Sequence, residues 1–284
     1  METLNVGRFA LPIAPVLLLG ACLAGAIAAK WNSRRGHVDV ESLLWAILIT
    51  GVATARAAFV LLYVSEYRTD PWRILDMRDG GFVLSAGVAA AVIATAWLAW
   101  RKKQARKPLL YSVLAGTCFW LAGVLAVSAG NARQEQMALP DLSLTTLEGS
   151  TVLTSSLKGK PLVINLWATW CPPCRRELPV LRDAQSRNRD VTFAFVDQGE
   201  PRATVRAYLA SQALTLDNVL LDPEFLMSRQ ADAHAFPTTL FFDEQGVLVD
   251  RHMGELSGAT LAKHLKTLRR ADQGSASGTG TAFN

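Results

Sequence analysis

Cysteine and histidine are scarce in this chain, four of each among 284 residues. A small domain stapled by disulfides needs a denser cysteine framework, and a structural zinc centre needs four converging Cys or His ligands. Two of the cysteines, Cys22 and Cys118, sit inside apolar runs and the histidines are scattered, so no metal site is expected. No basic stripe interleaved with aromatic residues is present. The net charge of +5 is therefore not read as a nucleic-acid footprint: lysine and arginine cluster in short loops between apolar runs, where they set membrane topology. No cofactor is expected.

What the chain has in abundance is apolar sequence, half of all residues, in a length that accommodates roughly two domains at about 150 residues each. A bilayer span needs about 20 mostly apolar residues, and four stretches qualify: 9–29, 42–64, 82–100 and 109–129. They predict an all-α membrane domain over residues 1–130. The first loop holds Lys30, Arg34 and Arg35, and the third holds Arg101, Lys102, Lys103, Arg106 and Lys107. In the second loop Arg68, Arg73 and Arg78 are offset by Glu66, Asp70, Asp76 and Asp79. Because short basic loops stay cytoplasmic, both termini are expected outside, in the compartment where disulfide chemistry persists. "LGAC" at 19–22 also fits a lipoprotein cleavage box, but the apolar run continues past Cys22. Cys22 and Cys118 lie at similar depth and are read as packing thiols, with a membrane dithiol as the alternative.

Arg56 falls near the middle of the second span, where an unpartnered charge costs at least about 2.5–3.5 kcal/mol. It is either a functional residue or a lock on helix packing through backbone carbonyls. The stretch from Gly51 to Gly87 resembles the amino-terminal part of prolipoprotein diacylglyceryl transferases, with Arg56, Gly80 and Gly81 on the family pattern. Ser85 and Ala86 stand where that family has a His-Gly pair, and its later spans are absent. The resemblance implies a membrane scaffold that has lost transferase chemistry.

From residue 137 the pattern changes to that of a soluble α/β domain, expected over 137–270. Alternating residues around Glu148-Gly149 predict a β-hairpin. "PLVINLWA" (161–168) predicts a central buried strand. Then come a helix over 172–186, a strand over 191–196, a helix over 201–212 and a short strand near 218–221. Strands over 238–243 and 247–252, with Gly246 at their turn, precede a last helix over 258–270. The tail, 271–284, is small and polar and is expected to be disordered.

Between the buried strand and its helix stands Cys171-Pro172-Pro173-Cys174. A helix amino terminus stabilises a thiolate through its unpaired N–H groups and dipole. Cys171 is therefore expected to be an exposed, attacking thiol, and Cys174, under one turn away, the resolving one. Pro172 and Pro173 fit the first turn and remove two donors that would otherwise bond the Cys171 sulfur, making a more reducing pair. Glu177, three residues beyond Cys174, is either a general base for the resolving thiol, if burial lifts its pKa, or a solvated helix glutamate. His234 reads as incidental, and Glu200 as a helix-start acid.

"GKPLVINLWATWCPPCRRELP" with "AFPTTLFFDEQG" is similar to the TlpA/ResA branch of thioredoxin-like proteins, membrane-tethered bacterial thiol–disulfide oxidoreductases. The resemblance implies a thioredoxin fold, a central mixed β-sheet flanked by helices, behind four transmembrane helices. It makes Cys171, Cys174 and Glu177 catalytic and favours the base role for Glu177. It implies a cis Pro237 facing the cysteines, with Phe236 and Trp170 binding substrate and Trp167 in the core. Asn165 occupies the place of the buried aspartate of ordinary thioredoxins. The implied protein is a multi-pass bacterial inner-membrane enzyme with its thioredoxin-like domain in the periplasm. It would act on protein thiols and disulfides and draw electrons from a transmembrane donor. A disulfide-forming oxidase and a Cu(I)-binding chaperone using the same thiols are the alternatives.

Overall fold

A computed structural model describes residues 3–6, 9–33, 40–67, 71–75, 80–131 and 137–278. The chain divides into two compact units, residues 1–135 and 136–284.

In the first unit, strands β1 (Thr3–Val6) and β2 (Phe9–Pro12) pair antiparallel. Helices α1 (Ile13–Ser33), α2 (Val40–Leu62), α3 (Val64–Tyr67), α4 (Leu84–Arg101) and α5 (Arg106–Asn131) follow. Among the described residues, three helical stretches are long and apolar enough to cross a membrane, Glu41–Leu62, Leu84–Arg101 and Lys103–Ala126, with a shorter apolar stretch at Val16–Ala28. The first expected span began at residue 9, yet 9–12 form strand β2. Pro12 has no N–H and a fixed φ, so the helix begins just beyond it. The charged positions Arg34, Arg35, Arg68, Asp70, Asp76, Arg78 and Asp79 lie outside the described residues.

Small residues let α1 and α5 approach closely: a methyl added to Gly25 would lie 3.0 Å from Ser112 O, and one added to Gly116 would lie 2.9 Å from Ala21 O. Cys22 and Cys118 are free thiols, and Cys118 is exposed. Arg56 is buried. Its Nε donates to Ile74 O at 3.1 Å and one Nη to Gly81 O at 2.9 Å, and its guanidinium lies 5.8 Å from the rings of Phe59, Tyr67 and Phe82. These contacts tie the segment after α2 back to the helix.

The second unit is built on one sheet in the order β4-β3-β7-β6-β5-β8-β9. Its strands are β3 (Ser143–Thr146), β4 (Thr151–Leu153), β5 (Leu162–Trp167), β6 (Thr192–Gln198), β7 (Val219–Asp222), β8 (Thr238–Phe242) and β9 (Leu248–Met253). β5, β6 and β7 run parallel, and the remaining pairings are antiparallel, a mixed sheet as expected. The helices are α6 (Pro172–Arg187), α7 (Arg202–Ser211), α8 (Leu226–Gln230) and α9 (Gly258–Gly278). Every residue of β5 is buried. Alternation along it sends Val163 and Trp167 into one core with Leu178 and Leu181 of α6 and Leu265 and Leu268 of α9. Leu162, Ile164 and Leu166 enter a second core with Leu144, Phe242 and Met227.

Two elements differ from expectation. α8 is a short extra helix whose Leu226 and Met227 N–H groups donate to the Asp222 carboxylate. α9 continues to Gly278, so residues 271–278 of the expected disordered tail are helical; 279–284 lie outside the described residues. The Asp272 carboxylate accepts from Glu244 N at 3.0 Å, and this bond ties the added turns to the β8–β9 corner.

Candidate functional site

Strand β5 ends at Trp167, and the chain turns through Ala168, Thr169 and Trp170 before α6 begins. Cys171 is the N-cap of that helix, with extended backbone (φ −88°, ψ 107°), and Pro172 and Pro173 fill the first turn. A disulfide joins Cys171 to Cys174, with Cα atoms 5.3 Å apart. Cys174 N donates to Cys171 Sγ at 3.4 Å, the capping bond that a helix start offers to sulfur. The sequence placed Cys171 at an exposed tip. The tip is there, the exposure is not: Cys171 retains 3% of its surface and Cys174 none. Both residues join the core cluster against which Phe236 packs.

Glu177 lies one turn below Cys174 and is fully buried, so the solvated-helix reading fails. Its Oε1 accepts from Asn165 Nδ2 at 2.7 Å and its Oε2 from Leu256 N at 3.0 Å. Burial pushes its pKa up to about 8, outweighing both hydrogen bonds, which favour the carboxylate. Asn165 also reaches Thr239 Oγ1 at 3.0 Å. Strands β5 and β8, which pair Asn165 with Thr239, thus position the acid on α6.

The Phe236–Pro237 peptide bond is cis. Pro237 is buried at the start of β8, while Phe236 is half-buried with its ring 6.2 Å from that of Trp170. Trp170 is 63% exposed and forms the rim, whereas Trp167 is fully buried beside Tyr208. Exposed His234 pairs at the surface with Asp232 at 2.7 Å.

A carboxylate pair escaped the sequence reading. Glu200 does more than start a helix: it accepts from Thr169 N at 2.5 Å and Thr169 Oγ1 at 2.6 Å, clasping the turn that carries Trp170 and Cys171. Asp197, buried at the end of β6, accepts from Glu200 N at 3.2 Å. Burial and then the Glu200 carboxylate raise its pKa to about 8. The parallel register sets Asp197 beside Trp167, and the contact of Glu200 with Thr169, 31 residues away, leaves no sign in sequence spacing. Across the sheet His252 is also buried, and burial, with neighbouring His264, lowers its pKa to about 4. Among the described residues no group of three or more His, Cys, Asp or Glu side chains converges as metal ligands.

Residues 134–267 match the family described as Redoxin, and residues 1–133 match the family described as prolipoprotein diacylglyceryl transferase. The chain is 33% identical over 136 residues to the thioredoxin-like protein YneN of Bacillus subtilis, covering 46% of this chain and 79% of that protein. The chain belongs to the thioredoxin-like family. Another relative of this thioredoxin-like protein is the thiol-disulfide oxidoreductase ResA of Geobacillus kaustophilus, 27% identical over 46% of this chain and 75% of that one. Among solved structures it is similar to a thiol:disulfide interchange protein of Chlorobium tepidum, with a TM-score of 0.41, 28% identity and coverage of 47% of this chain and 96% of that one. The thioredoxin-like unit has the thioredoxin fold, and the helical unit before it carries the resemblance to the transferase family.

Proposed function

We propose that this thioredoxin-like protein is a membrane-anchored reductase of protein disulfides, working outside the cytoplasmic membrane by mixed-disulfide exchange. The chain is a protein-disulfide oxidoreductase. The single observation that carries the mechanism is the bonded pair Cys171–Cys174 at the start of α6 with Glu177 buried one turn below.

In the reduced enzyme the Cys171 thiolate attacks one sulfur of a client disulfide. The client S–S bond breaks, its second sulfur leaves with the electron pair and takes a proton, and a Cys171–client disulfide forms. Cys174 passes its proton to the Glu177 carboxylate and attacks the Cys171 sulfur, releasing the client thiol. Two electrons have moved to the client, and the enzyme is left as the Cys171–Cys174 disulfide. A pKa of about 8 suits Glu177 to take and return that proton near neutrality. Trp170, Phe236 and Pro237 line the approach to Cys171 and bind the client chain. The oxidised pair is recharged by a transmembrane electron donor.

The reducing direction is supported by Pro172 and Pro173, which leave few first-turn N–H groups to stabilise the Cys171 thiolate. In this proposal the shorter apolar stretch Val16–Ala28 and the three longer ones are four spans of the bacterial inner membrane with both termini outside, and the thioredoxin-like unit works in the periplasm. The test is to trap clients on the full-length Cys174→Ser protein in its native membrane. Expected are reductant-sensitive adducts with extracytoplasmic proteins that vanish when Cys171 is also changed to Ser; no adduct at Cys171, or adducts with cytosolic proteins alone, would refute the reading. A reduction potential near about −270 mV supports the reductase, and one near about −120 mV the oxidase.

A further inference from the structure

Phe225 has a backbone that a bulky L-residue rarely adopts, φ 56° and ψ 32° in the left-handed region. Asp222 fixes it there. Asp222 O accepts from Phe225 N at 3.2 Å, and the Asp222 carboxylate accepts from Leu226 N at 2.9 Å, Met227 N at 2.8 Å and Gln198 Nε2 at 3.1 Å. The ring lies over Gly199, where an added methyl would fall 2.2 Å from Phe225 Cζ, so only glycine leaves it room. It runs nearly parallel to the Phe236 ring, at 13° and 6.5 Å between centroids, and Phe236 in turn meets Trp170 edge-on. Phe225 is 39% exposed and Trp170 63%. Three aromatic rings thus form one continuous partly exposed row beginning at the residue before Cys171.

We propose that Phe225 is a specificity residue, the far end of an aromatic platform that accepts an aliphatic or aromatic side chain next to the reacting cysteine of a client polypeptide. This rests on the exchange reading above, because the platform begins at Trp170, the residue before the cysteine that would attack. Phe236 packs against the core cluster that includes Cys171, and Phe225 adds a second, stacked ring to the apolar floor. A flanking apolar residue of the client gains burial and ring contact there, whereas a flanking serine gains neither.

The experiment uses the full-length protein in detergent, reduced, with two otherwise identical single-cysteine peptides carrying leucine or serine beside a cysteine blocked by thionitrobenzoate. The Cys171 thiolate attacks the peptide sulfur, the mixed disulfide forms, and coloured thionitrobenzoate leaves with the electron pair. The wild type should favour the leucine peptide about five-fold, the equivalent of roughly 1 kcal/mol. Phe225→Asn, a residue that tolerates the left-handed backbone, should bring the ratio near one, and Phe225→Leu should retain most of it. The ratio is insensitive to a general loss of active protein. A wild-type ratio of one, or an unchanged ratio in Phe225→Asn, overturns the proposal while leaving the exchange reading intact. No thionitrobenzoate release from either peptide overturns the exchange reading itself.

Discussion

Asn165 Nδ2 donates to Glu177 Oε1 at 2.7 Å. The acid near the disulfide is thus carried by helix α6, and the strand residue beneath it serves as its hydrogen-bond donor. Burial raises the Glu177 pKa to about 8 in spite of that donor, so at neutral pH the group is mostly a neutral acid. The rate of mixed-disulfide resolution in single-turnover mixing should therefore climb with pH and level off above about 8. Glu177→Gln should lose that inflection and slow resolution by about 10²-fold or more, the usual contribution of a positioned acid–base group. An unaltered profile in the variant would remove Glu177 from the mechanism.

Glu177 and Asp197 both have pKa values raised to about 8, well above those of unfolded carboxyls near 4. Between those limits the native state holds protons that the unfolded chain has released, so stability is greatest at the acid end and falls as pH rises towards about 8. Denaturant midpoints across that window should decline and then flatten. Glu177→Gln should shallow the decline, because one of the two titrating groups is gone.

His252 contributes with the opposite sign. Its pKa is lowered to about 4, so between that value and about 6.5 the unfolded chain binds a proton that the native state refuses, and stability is lost as pH falls. His252→Phe should remove this loss. Its stability relative to wild type should improve, by an amount on the order of 2 kcal/mol, as pH drops from about 7 to about 4. A constant difference across that range would contradict the assignment.

Glu200→Ala deletes both bonds to Thr169 and should destabilise the oxidised protein by roughly 1–3 kcal/mol, the usual result of stranding partly buried donors. Glu200→Gln keeps an acceptor for Thr169 N and should recover part of the loss. Chemical denaturation of the three proteins at one pH measures both effects.

In the helical unit, Arg56→Lys retains charge but not the planar fork that reaches Ile74 O and Gly81 O together. It should lower thermal stability in detergent nearly as far as Arg56→Ala. Gly81→Ala should do the same, since its methyl would lie 2.4 Å from Phe59 Cε1 and 2.7 Å from an Arg56 Nη.

Much was legible along the chain because it depends on near neighbours. The continuous apolar run of β5, the glycine turns at Gly149 and Gly246, with φ of 98° and 81°, and the Cys-Pro-Pro-Cys helix start follow from patterns of neighbouring residues. Those patterns sufficed for the α/β order and the disulfide. Tertiary packing decided the rest, because burial and long-range register are properties of the assembled sheet. It made Glu177 a buried acid and drew Cys171 into the core. It also brought Glu200 to Thr169, 31 residues away, and stacked Phe225 on Phe236. A residue's own sequence states which groups it carries; only the folded sheet states which of them lose their water and which neighbours replace it, and those replacements set the acidity and reach of this site.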